Sequence, residues 1–115
     1  MHNHSRKYAM PAEPFAEIIE NAMFERQVEG LPPDDVEGYN RLGMMTPLEA
    51  VTDVLSRKMC VPYPTVARRV YEIRRHRVKT INFDLADAIA CYLGNGVWFF
   101  LTDQRVAPIY EDMAA

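Results

Sequence analysis

Prolines and apolar residues are spaced along this sequence so that short amphipathic helices fit between and after the prolines. Seven of the eight prolines lie before residue 65, and a proline inside a helix removes an amide donor and clashes with the preceding turn. Apolar side chains recur at intervals of three and four residues, which is the period of one helix face. The four stripes are Phe15, Ile18, Ile19, Ala22 and Met23; Leu48, Val51, Thr52, Leu55 and Met59; Val66, Ala67, Val70 and Ile73; and Ala86, Ile89, Ala90 and Leu93. This spacing predicts an all-α protein, a compact bundle of four or five short helices.

Residues at the ends of the stripes predict where the helices begin and end. The predicted helices span about 14–29, 47–58 and 64–75, with a short helical turn within 34–45 and a last helix from Asp84 to Gly94. Thr46-Pro47-Leu48-Glu49 is a capping box, in which the Thr46 hydroxyl accepts from the third amide and Glu49 reaches back to the first. In the last helix, Asp84 is predicted to be the N-cap, Asp87 an acid of the first turn and Gly94 the end.

Length and composition are those of one soluble globular domain. The chain has 115 residues, of which 49% are hydrophobic and 25% are charged, enough for a single hydrophobic core. It shows neither a signal peptide nor a run of about 18–20 apolar residues, so we expect a cytoplasmic protein. Cys60 and Cys91 stand apart from any CxxC motif and are predicted to be reduced, half-buried thiols. His2 and His4 are predicted to belong to a flexible terminus rather than a metal site.

The net charge of −3 conceals a strongly basic segment. Residues 57–79 hold eight of the thirteen Lys and Arg residues and only one acid, Glu72, which gives a net +7. The flanking segments are acidic, with −8 over residues 11–56 and −4 over residues 80–115. Such asymmetry bears on partners rather than on fold. We therefore expect either a solvated basic surface or a polyanionic partner for this segment.

The predicted helices 47–58 and 64–75, joined by a tight connection, have the arrangement of a helix-turn-helix. The first helix braces the second, whose free face enters the DNA major groove. Arginine suits that face because its planar fork bonds guanine O6 and N7 together. Arg68 and Arg69 are predicted to contact bases. Phosphate contacts are predicted for Arg74, Arg75, Arg77 and Lys79, with Lys58 at the other end.

Four residues of the predicted recognition helix have alternative interpretations. Thr65 is either a DNA contact or a helix cap. Glu72 either accepts from cytosine N4 or orients a neighbouring arginine, and the second interpretation is favoured. Arg68 and Arg69 have an alternative as well, a solvated helix face paired with Glu72.

Residues 65–74, 79–89 and Leu93-Gly94 resemble the second half of Cro/repressor-like helix-turn-helix domains. The sequence is also similar to small DNA-binding proteins of actinobacteria and their bacteriophages. The shared motifs are Arg68-x-x-Tyr71-x-Ile73-Arg74, Thr80-Ile81-x-Phe83-Asp84-x-Ala86-Asp87, Trp98, and Val106-Ala107-Pro108-Ile109-Tyr110. The resemblance implies double-stranded DNA binding and a transcriptional or phage-type regulatory role. The chain departs from the pattern at Met59-Cys60-Val61 and around Arg75-His76, where the family has glycines.

Together these patterns predict a flexible segment over residues 1–13 and a single helical domain over 14–115, with the helix-turn-helix at about 47–75. The apolar run Val97–Leu101 has two interpretations, core or a homodimer interface formed by Trp98, Phe99 and Phe100. The alternative function is a protein–protein interaction module on a helix-turn-helix scaffold. In it, the acidic first helix and the aromatic C-terminus would bind another protein, for example a host polymerase or replication component. No enzyme, metal site or cofactor is predicted, because no nucleophile, glycine-rich phosphate loop or metal-ligand spacing accompanies the acids.

Overall fold

Five helices and one short pair of strands make up the fold in the computed structural model, which describes residues 9–94. In chain order these are β1 (Met10–Pro11), α1 (Glu13–Glu25), α2 (Val36–Arg41), α3 (Pro47–Met59), α4 (Tyr63–Arg74), β2 (Thr80–Ile81) and α5 (Phe83–Tyr92). The prediction of an all-α bundle is confirmed.

One core lies between the four longer helices, and α1 and α3 each pack against all of the other three. Helix α3 packs against α1, α4 and α5, and α1 also packs against α4 and α5. Each predicted stripe supplies buried side chains, among them Phe15, Leu55, Val70 and Ile89. Burying a side chain of this kind contributes roughly 1.5–3 kcal/mol. This packing fixes α4 on α3 and α1 and leaves its remaining face to solvent.

The predicted capping box at the start of α3 is confirmed. The Glu49 amide donates to the Thr46 hydroxyl over 3.2 Å, and the Thr46 amide donates to the Glu49 carboxylate over 3.0 Å. At the start of α5, however, the predicted N-cap is wrong. Asn82 is the N-cap, because its side-chain oxygen accepts from the Leu85 amide over 2.8 Å. Asp84 lies in the first turn instead, where its charge favours the helix dipole.

The predicted flexible segment extends too far into the fold. Met10 and Pro11 pair antiparallel with Ile81 and Thr80, and the Ala12 amide donates to the Lys79 carbonyl over 2.9 Å. Met10 is fully buried in the core. Residues 10–13 therefore belong to the folded domain, while residues 1–8 lie outside the described part of the chain.

Helix α1 ends at Glu25 rather than near residue 29, and the loop after it is held by α2. The Arg26 side chain donates to the Ala22 carbonyl over 2.9 Å. The hydroxyl of the buried Tyr39, on α2, accepts from the Val28 amide over 3.1 Å. The predicted helical turn within 34–45 thus corresponds to α2 and anchors the loop.

Both cysteines are free thiols at exposed positions, so the half-buried environment predicted for them is wrong. The Cys91 thiol donates to the Asp87 carboxylate at a distance of 3.4 Å. Local burial, together with this hydrogen bond and the charge of Asp87, raises the pKa of Cys91.

Over residues 9–94, no helix has the length and apolar character required to cross a bilayer.

Candidate nucleic-acid interface

The connection between α3 and α4 is a tight turn closed without glycine. Helix α3 ends in a residue of left-handed conformation, Cys60, with φ 56°. The Cys60 amide donates to the Arg57 carbonyl over 3.4 Å, and the Val61 amide donates to the Ser56 carbonyl over 3.1 Å. This pair of bonds is a Schellman motif. The Ser56 hydroxyl reinforces it by donating to the Val61 carbonyl over 2.6 Å.

The turn after α4 repeats the same motif. His76 has φ 55°, its amide donates to the Ile73 carbonyl over 3.1 Å, and the Arg77 amide donates to the Glu72 carbonyl over 2.9 Å. Both places where the resembled family has glycine are therefore occupied here by non-glycine residues in the left-handed region. Both turns thus reverse the chain direction without a glycine.

Helix α4 has a buried face and an exposed basic face. Val66, Val70 and Ile73 are buried. At about 3.6 residues per turn, Arg68 and Arg75 project from the opposite side, and both are exposed. Thr65 is three residues inside the helix limit set by the N-cap Pro62, so the alternative role of Thr65 as a helix cap is wrong.

Arg68 and Arg69 occupy different positions around α4. Arg68 is exposed, and no ion pair or hydrogen bond holds it within residues 9–94. Arg69 is half-buried at the edge of the helix, where it lines a small cavity together with Glu72, Asn82 and Leu85. Neither arginine pairs with Glu72 in this part of the chain, so the alternative of a salt-bridged helix face is wrong. The favoured role of Glu72, orienting an arginine, is wrong for the same reason.

Arg74 is directed toward α1 rather than toward the exposed face. Its Nε donates to the Glu20 carboxylate over 2.7 Å, and its side chain is 28% exposed. Of the four residues predicted to contact phosphates from the end of α4, this one is already engaged by a carboxylate. Arg75, Arg77 and Lys79 are exposed and have no such partner among the described residues.

Tyr71 lies between the predicted base-contacting and phosphate-contacting residues, and the sequence patterns assign it no role beyond its place in the resembled motif. The guanidinium carbons of Arg75 and Arg77 each lie 5.3 Å from the centroid of its ring. Arg75 follows Tyr71 by four residues, a helical neighbour distance that was readable from the sequence. The contact with Arg77 depends on the left-handed turn at His76 and was not.

The second cluster of positive charge is at the end of α3. Arg57 pairs with Asp53 over 3.1 Å, while the Lys58 ammonium lies 5.6 Å from the centroid of the Tyr92 ring on α5. In the described part of the chain, the basic segment therefore retains six cations without a carboxylate partner: Lys58, Arg68, Arg69, Arg75, Arg77 and Lys79.

At the start of α4, burial and the carboxylates of Glu49 and Asp53 raise the pKa of Tyr63.

Comparison with known proteins gives no match to a family model, a curated protein or a solved structure. The resemblance to helix-turn-helix proteins therefore stays a prediction. Within residues 9–94, no group of three His, Cys, Asp or Glu side chains is placed to hold a metal ion. The predicted homodimer interface at Trp98, Phe99 and Phe100 lies outside the described residues, as do His2 and His4.

Proposed function

We propose that this protein binds double-stranded DNA sequence-specifically, with α4 in the major groove, and acts as a transcriptional or phage-type regulator in the cytoplasm. The observation that carries the proposal is the exposed side of α4 and its following turn, where the guanidinium groups of Arg68, Arg75 and Arg77 have no carboxylate partner within residues 9–94. A major groove about 12 Å wide admits one helix with its side chains.

The positions of the basic residues suggest separate roles. Arg68 projects from the middle of α4 and would contact base edges, with Thr65 and Glu72 beside it and Arg69 at the margin. Arg75, Arg77 and Lys79 follow the end of the helix, where they would bind the phosphate backbone and fix its register. Lys58, at the end of α3, would contact phosphates on the other side of the recognition helix.

The test is a binding selection from random duplex DNA, followed by anisotropy titrations of the selected duplex over a range of salt concentrations. Arg68→Ala is expected to reduce the free energy of binding to the selected duplex by about 1–3 kcal/mol and to relax the base preference. Lys79→Ala is expected to weaken all sequences alike and to reduce the salt slope by about one.

Arg41→Ala on α2 is the matched control, because it removes the same side chain from an exposed position outside α3 and α4. It is expected to leave the base preference unchanged. Absence of duplex binding by the wild-type protein at low salt would refute the proposal.

An interaction module remains the second candidate, favoured by an exposed apolar side chain on the acidic helix. Phe24 is 76% exposed at the end of α1, among the exposed carboxylates of Glu17, Glu20 and Glu25. Such a surface fits a protein partner that offers basic and apolar groups.

This candidate is tested with a partner identified by pull-down and then purified. Phe24→Ser and Glu17→Gln together are expected to abolish partner binding, whereas the Arg68/Arg69 double alanine variant is expected to retain it. The reverse pattern would exclude the interaction module. Glu20 is unsuitable for this test because its carboxylate also holds Arg74.

A further inference from the structure

Tyr71 brings together the two arginines that follow the recognition helix. The guanidinium carbons of Arg75 and Arg77 are each 5.3 Å from its ring centroid, within the range of about 6 Å in which a cation is attracted to an aromatic ring. The guanidinium carbons of Arg75 and Arg77 are therefore separated by at most twice their 5.3 Å distance to the centroid. Because Tyr71 is 41% exposed, the core does not account for the position of its ring.

The backbone supplies the second half of this arrangement. Arg75 is one helical turn after Tyr71 and meets the ring directly. Arg77 would continue away from it if the helix went on, but the left-handed residue His76 reverses the chain. The Arg77 amide is then fixed by its bond to the Glu72 carbonyl, 2.9 Å away. The Tyr71 ring and the turn at His76 thus position the side chains of Arg75 and Arg77 next to each other.

Arg75 and Arg77 carry like charges near one ring, and these charges repel each other. Neither Arg75 nor Arg77 forms an ion pair within residues 9–94. An anion between or beside them would remove the repulsion and accept hydrogen bonds from both planar forks. Phosphodiester groups, spaced along a DNA strand, have this charge and these acceptor oxygens.

We propose that Tyr71, Arg75 and Arg77 form a preorganised clamp for backbone phosphates, in which Tyr71 is a positioning residue and the two arginines make the contacts. This inference rests on the proposed DNA-binding function and adds a residue to its machinery. Preorganisation matters because ordering a long side chain on binding costs free energy that a prefixed side chain does not lose again.

The experiment measures duplex affinity against salt concentration for Tyr71→Leu and Tyr71→Phe in the full-length chain. Tyr71→Leu keeps apolar bulk but removes the ring, and it is expected to weaken binding about tenfold at low salt. It is also expected to lower the slope of log affinity against log salt by between about one and two, since each phosphate contact contributes about 0.9. Tyr71→Phe retains the ring face and is expected to retain both the affinity and the slope. Leu42→Ala, which removes an exposed apolar side chain just after α2, is the control and is expected to change neither.

The outcomes separate this inference from the function on which it rests. In a background of Arg75→Ala and Arg77→Ala, Tyr71→Leu is expected to have no additional effect, as a double-mutant cycle would show. If the wild type binds duplex and Tyr71→Leu keeps its slope, the clamp is wrong and DNA binding stands. Equal losses in Tyr71→Phe and Tyr71→Leu would assign the contact to the hydroxyl and overturn the positioning role. If the wild type binds no duplex, both proposals fall.

Discussion

Two residues, Cys60 and His76, adopt a conformation that usually belongs to glycine. Left-handed backbone places Cβ close to the following carbonyl and costs roughly 1–2 kcal/mol in a residue with a side chain. Helix α2 ends in the same motif but has Gly43, with φ 69°, at the corresponding place. The protein thus tolerates the strain in the two turns that bound α4, because the Schellman bonds and the packing on both sides determine the chain direction.

Replacing Cys60 by glycine is therefore expected to stabilise the protein by about 0.5–1 kcal/mol. The gain is the relief of left-handed strain, reduced by the greater freedom of glycine in the unfolded chain. The Cys60 side chain is exposed, and its one polar contact with residues 9–94 is a weak one to the Arg57 carbonyl at 3.8 Å. Urea unfolding of both proteins measures the difference.

Cys60→Ala is the control for that measurement, since alanine removes the thiol but keeps Cβ and the strain. Its free energy of unfolding is expected to stay close to that of the wild type. A glycine variant no more stable than the alanine variant would show that the turn carries no strain at this position.

At the scale of elements, the parts of the fold that depend on neighbours in sequence were predictable. The stripe and capping box of α3 identify it because all their residues lie within one segment. The pairing of β1 with β2 joins Met10 to Ile81 across most of the chain, and two residues are too few to show a period. The candidate site also has one predictable and one unpredictable part. The exposure of Arg68 follows from helix periodicity, whereas the ion pair between Arg74 and Glu20 joins residues far apart in sequence.

The contribution of β1 to the core is testable at Met10. Met10→Ala is expected to lower the free energy of unfolding by about 2–4 kcal/mol, because the side chain is fully buried and its removal leaves a cavity. Met44→Ala is the matched control, since Met44 is 45% exposed, and its effect is expected to stay within about 0.5 kcal/mol. Chemical denaturation measures both. If both variants lowered the free energy of unfolding by the same small amount, residues 10–13 would be flexible, as the sequence predicts.

Charge in the whole molecule is distributed over different faces of one core. Helix α1 presents exposed carboxylates, whereas α4 and the turn after it present guanidinium groups that have no carboxylate partner in the described part of the chain. The ion pair between Glu20 and Arg74 lies where these two surfaces meet. A net charge of −3 is thus compatible with a strong local attraction for a polyanion, and the acidic side would orient the protein as it approaches.

The ion pair at this boundary leads to a prediction for the whole charge distribution. Glu20→Gln removes one acid and releases Arg74 from its partner. Because the Glu20 side chain is 53% exposed, we expect a loss of stability of no more than about 1 kcal/mol. Duplex affinity at low salt is expected to rise severalfold, with a steeper salt dependence, since Arg74 becomes free to contact a phosphate.

Glu17→Gln separates the two causes of that gain. It makes the same change in net charge on the same helix, but the Glu17 carboxylate holds no arginine among the described residues. Long-range repulsion alone would give both variants the same affinity and the same salt slope. A steeper slope in Glu20→Gln only would assign the difference to Arg74. The pair between α1 and α4 would then limit how many phosphates the basic segment contacts, and the acidic helix would act on DNA binding without contacting DNA.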